Sequence, residues 1–179
     1  MLPLKMTSSD VLEFLELTRA HGIEIWIDGG WSVDALLECQ TRVHSDLDIA
    51  LLHQDVPKLR ALLEARGFKN VPRDDTRDCN FVLGDDLGRQ IDFHSFTFDD
   101  TGKIIFGVPY PRESLTGRGL IAGVAVNCIS PEWLVKFHTG YELDIDDYRD
   151  VLALCQRFGL ELPLEFEKFR LNPQPIFKK

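Results

Sequence analysis

Ile23-Glu24-Ile25-Trp26-Ile27-Asp28-Gly29-Gly30-Trp31, followed after an interval by Asp46-Leu47-Asp48-Ile49-Ala50-Leu51-Leu52, is the stretch whose reading decides the fold. The first run is apolar enough for a short buried strand, and it leads straight into two glycines. The interval to Asp46 accommodates one short helix, Trp31 to Leu37, and a return to the sheet. Residues two apart in a strand point to the same face, so Asp46 and Asp48 are expected side by side. Adjacent carboxylates repel one another unless a cation lies between them. Oxygen ligands of that kind suit Mg²⁺, which usually shares its coordination with substrate phosphates.

A third acid lies on another apolar segment. Gln90-Ile91-Asp92-Phe93-His94-Ser95-Phe96 alternates, with Ile91, Phe93 and Ser95 on one side and Asp92 and His94 on the other. Paired beside the first acidic strand, it would complete a three-carboxylate centre. Such a centre supports in-line phosphoryl or nucleotidyl transfer. A two-glycine turn opening a helix lets backbone N–H groups approach a triphosphate without side-chain interference. Alone, an Asp-x-Asp pair is more often a solvated strand end, and Gly-Gly an ordinary turn. In this order and spacing, with Asp92 embedded in an apolar strand, chance is the poorer explanation.

The whole chain sets further bounds. Its 179 residues suit one domain over 1–179, with a core at about 8–129 and a helical part at about 130–171. Hydrophobic residues make up 44% and include 12 phenylalanines, enough for a proper core. The 20 basic and 29 acidic side chains give a net charge of −9, which argues against non-specific nucleic-acid binding. The same charge is compatible with a cationic small substrate, and equally with simple solubility. No stretch has the length of a transmembrane helix, and Met1-Leu2-Pro3-Leu4-Lys5 does not read as a signal peptide. Cys39, Cys79, Cys128 and Cys155 are scattered, so reduced thiols in a cytoplasmic protein are expected rather than disulfides or a zinc site.

Along the chain, Ser8 or Ser9 is placed to cap a helix to about Ala20 that Gly22 ends, and Asp55-Val56-Pro57 opens another that Gly67 closes, with Leu59, Leu62 and Leu63 inward. Short strands are expected over Phe68–Val71, Asn80–Leu83 and Arg89–Phe96, with hairpin turns at Asp85–Gly88 and Asp99–Gly102. An irregular loop over 107–117 precedes a hairpin from Gly119 to Ile129, and Ser130-Pro131 should cap and start a helix. A last helix from about Ile145 to Phe158 would turn Val151, Leu152 and Leu154 inward, and the tail after Leu171 should fray. Helices and strands in this order describe a small mixed β-sheet flanked by helices; the pattern does not separate α/β from α+β. Residues 72–80 and 107–118 are expected to border an acceptor site, and Phe106, Val108 and Tyr110 to offer an interface, for instance in a homodimer.

These residues resemble the nucleotidyltransferase superfamily typified by DNA polymerase β, and more closely the small lincosamide nucleotidyltransferases, with aminoglycoside 2''-adenylyltransferases as cousins. The resemblance rests on Trp26-Ile27-Asp28-Gly29-Gly30-Trp31-Ser32-Val33-Asp34, Thr41-Arg42-Val43-His44-Ser45-Asp46-Leu47-Asp48-Ile49, Asp92-Phe93-His94, Cys128-Ile129-Ser130-Pro131-Glu132 and Phe137-His138-Thr139-Gly140-Tyr141-Glu142-Leu143. It implies a polymerase β-like fold with C-terminal helices, and Mg²⁺-dependent transfer of AMP from ATP to a hydroxyl of a small antibiotic, lincosamide-like, with pyrophosphate released. An aminoglycoside or a protein acceptor, or a catalytically silent nucleotide-binding domain, is the alternative. Asp46 and Asp48 would hold the metal, and Asp92 would be a metal ligand or, preferably, the general base. Gly29, Gly30 and Trp31 would meet the nucleotide through the backbone, and Arg42, His44 and Lys136 are candidates for its phosphates. His94 would touch the acceptor or orient a carboxylate. The bland alternatives are an ion pair of Arg42 with Asp34 or Asp28, a satisfied loop histidine at His44, and an exposed helix lysine at Lys136. Two departures stand out: Trp31 replaces the serine of many relatives, and Ser95 stands where the lincosamide group is expected to carry proline.

Overall fold

Eight strands form one mixed sheet in the computed structural model, which describes residues 5–171. Met1 to Leu4 and the tail after Leu171, expected to fray, lie outside the described residues. In chain order the elements are α1 (Ser8–Ala20), β1 (Ile25–Ile27), α2 (Gly29–Leu37), β2 (Leu47–Leu52), α3 (Val56–Glu64), β3 (Lys69–Val71), β4 (Asn80–Gly84), β5 (Gln90–Phe98), β6 (Ile104–Gly107), β7 (Gly117–Ile121), β8 (Val124–Cys128), α4 (Pro131–Phe137), α5 (Ile145–Phe158) and α6 (Glu167–Leu171). The sheet order is β3-β4-β5-β2-β1-β8-β7, with β6 hydrogen-bonded to β5. Parallel pairs at β2–β5 and β1–β8 are joined by antiparallel neighbours, which makes the fold a mixed α/β sheet.

The two faces of the sheet differ. Ile25, Ile27, Leu47, Ile49, Leu51, Ile91 and Phe93 alternate onto one face and are all buried. Phe14 and Leu17 of α1, Leu63 of α3 and Ile91 line one cavity against that face. The other face carries Asp48 and Asp92 at one end of the central strands and Trp26 and Phe96 further along. The Phe96 ring lies 6.1 Å from that of Trp26 and 5.6 Å from that of Tyr110.

Several local expectations shift. Thr7, not Ser8 or Ser9, caps α1, in a reciprocal capping box with Asp10. The two glycines form the first turn of α2 itself, since Asp28 is the N-cap. Ser130 precedes α4, but its buried hydroxyl has no partner among the described residues; its amide N–H donates instead to the Ser114 carbonyl at 2.8 Å. Leu152 is half-buried rather than inward, whereas Val151 and Leu154 are fully covered. Tyr110 is buried, so of the three residues offered as an interface only Phe106 is exposed. The four cysteines are free. Among the described residues, no helix is long and apolar enough to cross a membrane.

Candidate active site

Strand register builds the site. Parallel pairing of β2 with β5 sets Asp48 beside Asp92, as neighbours on the same face. Antiparallel pairing of β1 with β2 brings the chain back to the same end, where the Asp28 N–H donates to the Asp48 carbonyl at 2.9 Å. There α2 begins, its first amide donating to the Asp28 side chain at 2.8 Å. The next two amides, of Gly30 and Trp31, find no internal acceptor among the described residues, so the start of α2 keeps two free donors near the acids. Gly29 is obligatory twice over: its φ is +55°, and a Cβ there would sit on the Asp48 carboxylate.

Asp28 and Tyr110 tie the cleft to the core. The buried Tyr110 hydroxyl donates to Asp28 Oδ2 at 2.5 Å, and its oxygen lies 3.2 Å from His94 Nδ1. With the tyrosine proton committed to the carboxylate, Nδ1–H of His94 must be the donor to Tyr110. Its Nε2 then faces Asp92 Oδ1 at 3.5 Å. That oxygen is buried and has no hydrogen-bond partner among the described residues. A buried carboxylate oxygen left in that state favours a proton or a cation beside it.

The electrostatics agree. Asp48 keeps partial exposure, but protein atoms surround most of its carboxyl. That burial, with the charges of Asp46, Asp28 and Asp92, pushes Asp48 well above the ordinary carboxylate range, and Arg73 offsets only part of the effect. Burial likewise raises Asp92, against the pull of His94 and Arg73. Ligand atoms of Asp48, Asp92 and His94 all lie within 4.8 Å of one another. An orphaned carboxylate oxygen, mutual repulsion and an imidazole nitrogen turned inward form a donor set that suits a divalent cation.

The other sequence-derived candidates are distributed unevenly. Asp46 precedes β2 and stands half-buried at the rim, outside the group of three, with its Oδ2 3.8 Å from Arg73. Gly30 packs against two other candidates, since a Cβ there would come within 2.6 Å of both Arg42 Nη2 and His44 Nδ1. Arg42 is paired with neither Asp34 nor Asp28; it donates through Nε and Nη2 to Asp150 of α5, at 3.2 and 2.9 Å. His44 is buried, its Nε2 donating to Asp34 Oδ2 at 2.5 Å and its ring 4.5 Å from that of Trp31. Asp34 also accepts from the Thr41 amide and hydroxyl, which closes the loop between α2 and β2. The buried Trp31 side chain leaves only its backbone to the cleft. Lys136 is exposed, its ammonium 4.1 Å from the Trp133 ring centroid, and no ion pair among the described residues joins it to the cleft carboxylates. Ser95 donates its amide N–H to the Cys79 carbonyl at 2.8 Å, a bond that proline could not make.

Sequence reasoning missed Asp28, Tyr110, Arg73 and Asp150 as parts of this assembly. Asp28 carried a signal, because an aspartate directly before a helix is an N-cap residue. Tyr110 and Arg73 lie inside the stretches expected to border the acceptor, but nothing in their spacing marks them. Asp150 follows Asp144, Asp146 and Asp147, acids whose charge suits the N-terminus of α5. That account holds for the capping box of Asp144 and Asp147 and fails for the buried Asp150.

Comparison with known proteins gives the cleft a context. A lincosamide resistance protein of Staphylococcus haemolyticus is 28% identical over 154 residues, covering 83% of this chain and 94% of that protein. A 2''-aminoglycoside nucleotidyltransferase of Escherichia coli is 30% identical over 125 residues, covering 69% of this chain and 67% of its own. The lincomycin-bound crystal structure of the lincosamide antibiotic adenylyltransferase LnuA superposes with a TM-score of 0.73 at 26% identity, covering 84% of this chain and 97% of that one. The family model for aminoglycoside-2''-adenylyltransferases matches residues 10–154. Because that match runs from α1 into α5 and takes in the whole cleft, the chain belongs to the aminoglycoside-2''-adenylyltransferase family.

Proposed function

We propose that this protein transfers a nucleoside monophosphate, AMP from ATP, to a hydroxyl of a lincosamide-like antibiotic and releases pyrophosphate. The observation that carries the reading is the register of Asp48 with Asp92 on adjacent parallel strands, opposite the open amides of Gly30 and Trp31. Asp46 and Asp48, with Asp92 or His94 beside them, would hold Mg²⁺, which when bound neutralises phosphate charge and polarises the α-phosphorus. The amides at the start of α2 receive phosphate oxygens through the backbone, and Gly29 and Gly30 keep that approach clear. Asp92, raised by burial, is suited to take the proton of the acceptor hydroxyl. The acceptor oxygen then bonds to the α-phosphorus as the bond to the leaving pyrophosphate breaks. His94, oriented by Tyr110, faces Asp92 Oδ1 and would orient it once a proton or metal lies between them. Arg42 and His44, tied to Asp150 and Asp34, support the helix end from beneath rather than reach for phosphate. The free cysteines fit a cytoplasmic setting.

The relationship to a lincosamide resistance protein along 94% of its length favours a lincosamide acceptor. The net charge of −9 favours a cationic aminoglycoside as the second reading. Purified protein with Mg²⁺-ATP and a panel of lincosamides and aminoglycosides separates them. Pyrophosphate release matched by a mass gain of one AMP on one drug class is the expected result. Nucleotide binding without turnover on either class would refute the antibiotic acceptor.

A further inference from the structure

Arg73 brings the only guanidinium that reaches the cleft acids among the described residues. Its Nη1 donates to Asp92 Oδ2 at 3.1 Å, its Nη2 lies 3.8 Å from Asp46 Oδ2, and Nη2 also contacts Gln90 Oε1 at 3.4 Å. We infer that Arg73 is the stand-in cation of the metal-free cleft, holding Asp92 and Asp46 until a divalent ion displaces it, so that it opposes binding of the metal alone. This rests on the reading of the cleft as a cation site given above.

The geometry is that of a replaceable partner. A structural arginine–carboxylate pair is commonly bidentate, whereas Arg73 makes one close bond and two longer contacts. Its side chain is 38% exposed, against 12% for Asp92. It projects from the segment between β3 and β4, whose residues 72–78 are all exposed. That segment is anchored by backbone bonds at Cys79 and Asn80 rather than by the Arg73 side chain, so the guanidinium can leave without disturbing the sheet. Its contacts fall on Oδ2 of both Asp46 and Asp92, while Asp92 Oδ1 is left unsatisfied. A metal ion using those carboxylates must take over oxygens that the guanidinium now holds, and two positive centres cannot share them at contact distance. By reciprocity, whatever Arg73 contributes to holding the empty cleft it subtracts from the affinity for the free ion. A nucleoside triphosphate reverses the balance, since its phosphates add ligands for the metal and acceptors for the displaced guanidinium.

The test is Mn²⁺ titration without nucleotide, followed by the paramagnetic signal of the free ion, on wild type, Arg73→Ala and Arg73→Lys, with Asp48→Asn as the non-binding control. Arg73→Ala should bind the ion about two- to fivefold tighter than wild type, the range expected of a partly exposed ion pair. Arg73→Lys, which keeps the charge, should fall between them. Without metal, Arg73→Ala should also melt below wild type, and saturating Mn²⁺ should remove the difference. Equal or weaker binding by Arg73→Ala would overturn the inference while leaving the cation site intact. Absence of binding in all variants, wild type included, would instead remove the cation site and this inference with it.

Discussion

Replacing Asp48 by Asn should abolish turnover and yet make the metal-free protein more stable. The Asp48 carboxylate accepts no hydrogen bond among the described residues, and asparagine has nearly its shape, so the substitution deletes charge and little else. Ligand atoms of Asp48, Asp92 and His94 lie within 4.8 Å of one another. Two unit charges at that separation repel by about 3.5 kcal/mol at an effective dielectric constant of about 20. Arg73 offsets part of this, and partial protonation of Asp48 relieves more, so a net gain of about 1–3 kcal/mol is expected. For a chain of this size that corresponds to a rise in melting temperature of roughly 3–10 °C. Mg²⁺ at about 100 times its dissociation constant should stabilise wild type by about 2.7 kcal/mol and leave Asp48→Asn unmoved, which erases or inverts the order. Because the Asp48 pKa is raised in the folded state, folding takes up a proton as pH falls. Metal-free wild type should therefore gain stability from neutrality downward through the raised value, completing the gain below about 3.9, the ordinary value of the unfolded chain. Asp48→Asn lacks that gain, so the two melting curves should converge on acidification. Calorimetry with EDTA or Mg²⁺ across pH, beside pyrophosphate release, reads all of this. An Asp48→Asn protein that melts below wild type in EDTA, or that retains more than about one hundredth of its turnover, would refute the reasoning.

Four other outcomes follow from the same geometry. Arg42→Ala leaves Asp150 buried without its partner and should destabilise by about 2–3 kcal/mol; because burial already raises Asp150, the deficit should shrink as pH falls and the carboxyl protonates, which urea titrations at several pH values can follow. Gly30→Ala drives a methyl group into Arg42 and His44 and should cost about 1–3 kcal/mol, with weaker nucleotide binding as α2 shifts, both measurable by calorimetry. Tyr110→Phe removes a buried hydrogen bond to the Asp28 carboxylate, so a loss of about 1.5–3 kcal/mol in melting experiments should accompany a fall in kcat larger than any change in KM for ATP. Burial pushes the Cys128 thiol up to about 12, so alkylation of the folded protein near neutral pH should label exposed Cys39 first and leave Cys128 untouched, as peptide mass mapping will show.

What the sequence determined by itself is what depends on local pattern. The alternation in Gln90 to Phe96 put Asp92 and His94 on one face because side chains in a strand repeat every two residues. The apolar run ending in Gly29-Gly30 and the proline after Ser130 each marked a boundary, because strand burial and helix ends have local chemical requirements. The same residues carried the family resemblance, since the chemistry of a carboxylate centre tolerates few substitutes. Partner choice was decided only by the tertiary structure. Arg42 meets Asp150, 108 positions along the chain, rather than the nearer Asp34, which His44 and Thr41 already occupy. Tyr110 reaches Asp28 across 82 positions, and Arg73 reaches Asp92 from a segment with no regular structure. Charge and hydrogen-bonding capacity can be read from a residue's identity, but a partner is chosen by distance. Distance between remote residues is set by how the strands order themselves in the sheet, which no local pattern encodes.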